Sequence, residues 1–282
     1  MPAKFARSGL YPAFGVTAPF DPAHELVTSY CLPPVALAAL RLSIGTYAAF
    51  AVIFELVRES VRDHDAQTYL SYFTHLSYIG IIAYQFAAGV QTLLYVLNRR
   101  KSYPLQRWPR FLQFLHRLLF ATITSFPIVV TAVFWALLAD AQTLGTTYSR
   151  WDNISVHAMN SVFLLVEVLL TNMPPSPWTH LPICIVLLGG YLGVAYITHA
   201  TQGFYSYSFL DPAKEHAMLA AYIVGIAVAE CVAFALVQGL TLLRLRLTKG
   251  RAGTRPGSAL SGRAPTEDWE EVEPPSPAGH AV

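Results

Sequence analysis

Charged residues are scarce in this sequence, and that scarcity excludes an ordinary soluble domain. Only 13% of the 282 residues are Asp, Glu, Lys or Arg, whereas 54% are hydrophobic. Soluble domains carry about 25% charged residues. We therefore predict an integral membrane protein, and the net charge of +2 gives no reason to expect a nucleic-acid partner.

Cysteine is also rare, and its spacing excludes a disulfide framework or a cysteine-based metal site. Cys31, Cys184 and Cys231 are far apart in the chain, and each lies beside an apolar run. We interpret all three as small core residues. The first 20 residues lack the continuous apolar core of a cleavable signal peptide, and the sequence shows no internal repeat.

The histidines give little support for a metal site, because they are spread over several predicted elements: His64, His75, His157, His180, His199 and His216. Membrane zinc hydrolases do collect histidines from different helices. Zinc sites nevertheless usually include a local pair such as H-x-x-x-H, and the sequence has none of that kind. We predict no metal and no other cofactor.

Six apolar segments, each near the ~20 residues needed to cross ~30 Å of hydrocarbon, make up most of the chain: 34–57, 73–97, 114–138, 154–172, 181–199 and 217–243. We predict an all-α membrane bundle of six transmembrane helices within residues 31–246. Residues 1–30 contain four prolines and are predicted to form a loose or surface-lying arm. Residues 247–282 change from basic to acidic and are predicted to be a disordered cytoplasmic tail.

Lys and Arg are distributed unevenly between the loops. The 98–113 loop holds five of them and the start of the tail is also rich, whereas the loops at 58–72, 139–153 and 200–216 hold four together. By the positive-inside rule, both termini are predicted to be cytoplasmic. In that topology Thr74, His157 and His199, on three different helices, lie at similar depth near the non-cytoplasmic face.

The fourth segment carries polar groups that are costly inside a membrane. Residues 151–171 include His157, Asn160 and Glu167, and charged side chains cost roughly 2.5–3.5 kcal/mol on insertion scales. Steps of three and four place these residues on one face of a helix, which must contact protein or a water-filled cavity. Histidine is the side chain whose unperturbed pKa suits proton transfer near neutral pH.

The second segment has a matching polar stripe, formed by Thr74, Ser77, Tyr78, Gln85 and Thr92. We expect this stripe to face the polar face of the fourth segment. A hydroxyl becomes an effective nucleophile when a base takes its proton, so Thr74 and His157 would form such a pair. Asn160, Tyr78 or a backbone N–H would then stabilise the oxyanion of an acyl transfer.

Other interpretations of these residues stay open. A threonine at a helix start is often an N-cap, and a membrane histidine often only packs or hydrogen-bonds. Ser77 and Gln85 would also serve as interhelical hydrogen-bonding groups, worth about 0.6 kcal/mol each. Glu167 fits an interhelical or snorkelling role as well as a catalytic one. A transporter would favour internal repeats and interrupted helices at matching positions, which are not evident.

Four stretches resemble the androgen-induced protein family of integral-membrane hydrolases, which includes the androgen-dependent TFPI-regulating protein. They are residues 72–77; Phe126-Pro127 with 133–135; 151–153 with His157 and the apolar run to Glu167; and Gly190-Tyr191, His199, Gly203 and 207–210. Together they cover about residues 68–212, in the same order as in the family. Two departures are Ile154, where some members carry a second histidine, and Ser208, where many have proline.

The resemblance implies a threonine hydrolase acting on fatty acid esters of hydroxy fatty acids, with Thr74 as nucleophile and His157 as base. We add Tyr78, Asn160, His199 and Gln85 as predicted substrate-binding residues. Candidates for orienting His157 are Asp152 and Glu55.

The expected partner is a membrane lipid or fatty-acyl ester, and the expected location is the endoplasmic reticulum or the plasma membrane. The rival class is a non-catalytic membrane protein that binds or senses a lipid in the same cavity. A transporter is the third class, and a continuous polar path to the basic loop would favour it.

Overall fold

The computed structural model describes residues 9–248, which form an all-helical structure without strands in that range. Six long helices, α1 to α6, are Pro34–Asp63, Phe73–Leu97, Arg110–Leu138, Thr147–Leu170, His180–Gln202 and Met218–Thr248. Each is long and apolar enough to cross a membrane. The six predicted segments are therefore confirmed, although α4 begins earlier and α6 ends later than predicted.

The helix ends follow local sequence signals. Pro34 occupies the first position of α1, where a missing N–H costs no helical hydrogen bond. Gly203, with φ of 82°, ends α5 in the left-handed conformation that glycine adopts without strain. Because successive helices reverse direction, α2, α4 and α6 begin at the end of the bundle where α1, α3 and α5 finish. We call this the Thr74 end.

Helix α3 lies at the centre of the bundle. It packs against α2, α4, α5 and α6, whereas α1 packs mainly against α2. Its buried face includes aromatic, aliphatic and small polar side chains, among them Phe120, Thr124 and Ser125. Any cavity beside α3 is therefore bounded by several helices.

The described part of the N-terminal arm is folded onto the bundle. Val16 and Phe20 are buried in the main core. The carboxylate of Asp21 accepts the N–H groups of Glu25 and Leu26 at 2.8 and 3.1 Å, as well as the Tyr103 hydroxyl. These residues are therefore not loose, because apolar burial and one buried carboxylate hold the segment against the bundle.

Arg41 on α1 and Glu167 on α4 form a fully buried ion pair. Nε and Nη2 of Arg41 donate to the two carboxylate oxygens at 2.9 and 2.8 Å. Nη1 donates to the Leu26 carbonyl and to the Thr92 hydroxyl. Bidentate geometry and these additional bonds offset the cost of removing both charges from water. Of the roles open to Glu167, the structure shows the interhelical one.

The cysteine and tail predictions have mixed outcomes. Cys184 is buried and Cys231 is half-buried, but Cys31 is exposed. The core interpretation is therefore wrong for Cys31, whose apolar neighbours in sequence belong to an exposed connection before α1. Residues 249–282 of the predicted tail lie outside the described residues.

Candidate functional site

A cavity of about 180 Å³ lies between α2, α3, α5, α6 and the loop at 203–217. Its wall is aliphatic, phenylalanine or glycine except for Thr74, Tyr191 and Tyr207. Thr74 belongs to the start of α2, and the two tyrosines belong to α5 and the following loop. The cavity therefore suits an apolar chain and offers polar groups only at the Thr74 end.

Thr74 stands in the first turn of α2 and is 7% exposed. The residue that precedes the helix is Tyr72, and no side chain caps the helix N-terminus. The N-cap interpretation of Thr74 is therefore not what the structure shows. Its hydroxyl oxygen lies 3.5 Å from Tyr207 Oη, and its backbone N–H donates to the same oxygen at 3.4 Å. The positive end of the helix dipole also favours negative charge at this position.

Tyr207 holds its hydroxyl at the polar end of the cavity. Its ring stacks on Phe209 with centroids 5.2 Å apart and packs edge-on against Tyr72. Burial raises the pKa of the Tyr207 phenol above its ordinary value of 10.0, so at neutral pH the group keeps its proton and can donate it. The sequence alone placed Tyr207 only in a stretch that resembles the family. The cluster of aromatic residues after α5 could have identified Tyr207 as a candidate site residue.

His157 lies next to the cavity but does not line it. It belongs to the π-helical turn Ser155–Met159 within α4 and is 9% exposed. Its imidazole stacks on Phe134, with centroids 3.4 Å apart and planes 9° apart. Phe134 lines the cavity, and Trp135 Nε1 donates to the His157 carbonyl at 3.2 Å. The structure therefore brings His157 to the cavity wall, with the Phe134 ring covering it.

The buried Nδ1 of His157 has no hydrogen-bond partner within residues 9–248. Glu55, a predicted orienting carboxylate, is engaged elsewhere: its Oε1 lies 3.1 Å from His75 Nε2 and its Oε2 accepts the Tyr69 hydroxyl at 2.9 Å. Glu55 therefore does not orient His157 in this structure.

His75 has a structural role beside Thr74 that was not predicted from the sequence. Its Nδ1 lies 2.7 Å from the Tyr69 carbonyl, and its ring stacks on Tyr69 with centroids 3.9 Å apart. Together with the Glu55 contact, these interactions tie α1 and the connection at 66–71 to the first turn of α2. The network therefore fixes the backbone next to Thr74. In the sequence, a carboxylate near the end of one predicted helix (Glu55) and a histidine at the start of the next (His75) could have indicated this contact.

The four predicted substrate-binding residues do not line the cavity. Tyr78 and Gln85 are buried on α2, and the Tyr78 hydroxyl and both amide atoms of Gln85 have no partner in the described part of the chain. Asn160 is buried and its Oδ1 accepts the Thr131 hydroxyl at 3.1 Å. His199 is exposed on α5 and stacks on a tyrosine of the next loop. Their role in substrate binding stays a prediction.

The fold and cavity define a multi-pass helical membrane protein with a largely apolar cavity and a threonine in the cavity wall. The chain belongs to the FAR-17a/AIG1-like protein family, whose model matches residues 38–240. The match extends from α1 into α6 and therefore includes every residue of the candidate site. It confirms the androgen-induced family resemblance. Comparisons with curated proteins and with solved structures gave no match.

Proposed function

We propose that this protein is an integral-membrane lipid esterase that hydrolyses fatty acid esters of hydroxy fatty acids or similar acyl lipids. The observation that carries the proposal is Thr74, which contributes the aliphatic hydroxyl of an otherwise nearly apolar cavity wall. Membership of the FAR-17a/AIG1-like family supports it, because the matching motif implies Thr74 as nucleophile and His157 as base.

The reaction proceeds through an acyl-enzyme. The acyl chain lies in the cavity and places its ester carbonyl at Thr74. His157 takes the hydroxyl proton while Thr74 Oγ1 attacks the carbonyl carbon, and the resulting tetrahedral intermediate expels the alcohol, which receives the proton from His157. His157 then deprotonates a water molecule, whose attack releases the fatty acid and restores the Thr74 hydroxyl.

Two features at Thr74 suit stabilisation of the oxyanion. The neutral Tyr207 hydroxyl lies 3.5 Å from Thr74 Oγ1 and can turn its proton towards the developing negative charge. The first turn of α2 adds its backbone N–H groups and the positive end of the helix dipole. Donors that are already in place contribute more than donors that must reorganise during the reaction.

Proton transfer to His157 requires movement of Phe134, because this ring covers the imidazole. Rotation of this side chain would uncover the imidazole towards the cavity, since Phe134 itself lines the cavity. The same rotation would separate a resting state, in which the base is covered, from a reactive state. We propose that occupation of the cavity by the acyl chain favours the second state.

The covered imidazole also favours a second candidate function, a non-catalytic protein that binds or senses a lipid in the same cavity. The two functions differ in whether bound ester is cleaved. In either case we propose a location in the endoplasmic reticulum or plasma membrane, with both termini cytoplasmic and the Thr74 end near the non-cytoplasmic leaflet.

The test is hydrolysis of a fatty acid ester of a hydroxy fatty acid by the purified protein in lipid vesicles. Thr74→Ala is expected to reduce release of fatty acid to background, whereas Thr74→Ser retains a nucleophile and a measurable rate. His157→Gln is expected to be strongly impaired. The matched control is Ser77→Ala, one turn further along α2, where the hydroxyl donates to the Thr74 carbonyl. Undiminished hydrolysis by Thr74→Ala would overturn the proposal.

A further inference from the structure

A second polar group lies inside the bundle, between α3 and α6. The Ser125 hydroxyl oxygen is 2.6 Å from Glu230 Oε1 and 3.0 Å from the Ala121 carbonyl oxygen. Both polar side chains are completely buried. Glu230 Oε2 is enclosed by protein and has no hydrogen-bond partner within the described residues, so one carboxyl oxygen is unpaired.

The number of protons on Ser125 and Glu230 limits which hydrogen bonds these two side chains can make. A serine hydroxyl has one proton, and a carbonyl oxygen only accepts. When Ser125 donates to Ala121, the short contact with Glu230 is a hydrogen bond only if the carboxyl group supplies the proton. A neutral carboxyl also avoids burying a charge in hydrocarbon. In that arrangement Glu230 donates through Oε1 and leaves Oε2 as a free acceptor; when Ser125 donates to Oε1 instead, Oε2 is again the oxygen without a partner.

Helix geometry places Ser125 and Glu230 one turn beyond two residues of the cavity wall, although neither of them lines the cavity itself. Residues three or four apart share a helix face. Ser125 precedes the cavity-lining Val129 by one turn, and Glu230 follows the cavity-lining Ala227 by one turn. Because α3 runs towards the Thr74 end and α6 runs away from it, both polar groups lie one turn deeper than the cavity wall. Ala227 presents only a methyl group on the helix that carries Glu230.

We propose that Glu230 is a specificity-determining residue that accepts a hydrogen bond from a hydroxyl group on the acyl chain of the bound lipid. The proposal rests on the proposed function, since it takes the acyl chain to lie in the cavity with its ester at Thr74. A chain without a hydroxyl leaves the Glu230 oxygen unpaired in apolar surroundings. A chain whose hydroxyl reaches the inner end of the cavity supplies the donor that this oxygen lacks.

The experiment compares esters of equal acyl length, one unsubstituted and a series with a free hydroxyl moved stepwise along the acyl chain. The purified protein is expected to show, at one region of the series, a kcat/KM about 2- to 10-fold above that of the unsubstituted ester, as for one neutral hydrogen bond. Glu230→Leu is expected to remove this preference while it still cleaves the unsubstituted ester.

Glu230→Gln is expected to keep the preference, because an amide retains both a donor for Ser125 and a free carbonyl acceptor. The matched control is Thr241→Val on the same helix, where the buried hydroxyl bonds to the Val237 carbonyl at 2.8 Å. This variant is expected to keep the wild-type preference. A preference unchanged in Glu230→Leu, or no preference in the wild type at any hydroxyl position, would overturn the proposal.

A binding measurement separates this result from failure of the proposed function. Free hydroxy fatty acids and unsubstituted fatty acids compete with a photo-crosslinking fatty acid for the wild-type protein and for Glu230→Leu. Tighter competition by one hydroxy isomer, without ester cleavage, would support Glu230 recognition and refute the esterase. Cleavage without any hydroxyl preference in either assay would refute Glu230 recognition alone.

Discussion

Phe134 and His157 stack face to face, with ring centroids 3.4 Å apart. Phe134 belongs to the cavity wall, and His157 is the proposed base. Both stand in π-helical turns, Phe134–Leu138 in α3 and Ser155–Met159 in α4. Such turns occur frequently at functional sites. Access of the base to the cavity therefore depends on one aromatic side chain.

Replacement of Phe134 should expose the base. We expect Phe134→Ala to increase the rate at which diethylpyrocarbonate modifies His157, because the imidazole loses the ring that covers it. Peptide mass spectrometry measures this rate, and the exposed His199 serves as an internal control in the same sample. Phe134→Leu should give a smaller increase. An unchanged modification rate in Phe134→Ala would show that another group shields the imidazole.

Removal of the Tyr207 hydroxyl should slow the chemical step. Tyr207→Phe keeps the ring that stacks on Phe209 but removes the proposed oxyanion donor. Loss of one such donor costs about 10²- to 10³-fold in kcat, and KM should change little because the apolar wall is intact. Steady-state kinetics on the ester tests this expectation. A change confined to KM would assign Tyr207 to substrate binding instead.

The pH dependence of the Tyr207 contribution follows from the direction of its pKa. Burial raises the pKa of this phenol above 10.0, so the donor is present throughout the neutral range and persists past the pH at which free tyrosine ionises. The ratio of wild-type to Tyr207→Phe kcat should therefore stay constant up to about pH 10 and fall only above it. A ratio that declines between pH 8 and pH 9 would contradict the raised pKa.

The buried ion pair between Arg41 and Glu167 should contribute to stability as a unit. Glu167→Gln leaves the Arg41 charge buried without its counter-ion, which costs about 3–5 kcal/mol. The double variant Arg41→Met, Glu167→Gln removes both charges and should recover part of that loss. Thermal unfolding in detergent measures both. If the loss in the double variant equals the sum of the losses in Glu167→Gln and in the single variant Arg41→Met, the pair is not coupled.

Hydropathy and residue spacing were sufficient to predict the six helices and to place Thr74 at a helix start, because membrane-spanning length and apolar composition are local properties. The partner of each polar residue was not predictable in the same way. Steps of three and four placed His157 and Glu167 on one face, but the π-helical turn at 155–159 changes the register of α4. In the structure His157 contacts Phe134, whereas Glu167 contacts Arg41.

The contacts of the N-terminal arm were not predictable either, because they join residues that are far apart in the chain. Its prolines predicted a loose segment, yet the Tyr103 hydroxyl donates to Asp21, 82 residues earlier in the chain. The contact between Glu55 and His75 likewise depends on how α1 and α2 rotate against each other. Neither contact leaves a periodic signal in one sequence, because each joins two elements through a single pair of side chains.

Covalent labelling is the most direct test of Thr74 as the nucleophile. A fluorophosphonate probe is applied to the protein in membranes, and the modified residue is identified by peptide mass spectrometry. We expect one adduct on residue 74 that is lost in Thr74→Ala, strongly reduced in His157→Gln and retained in Thr74→Ser and Ser77→Ala. An adduct on another residue, or labelling that survives in Thr74→Ala, would contradict the assignment of Thr74 as the nucleophile.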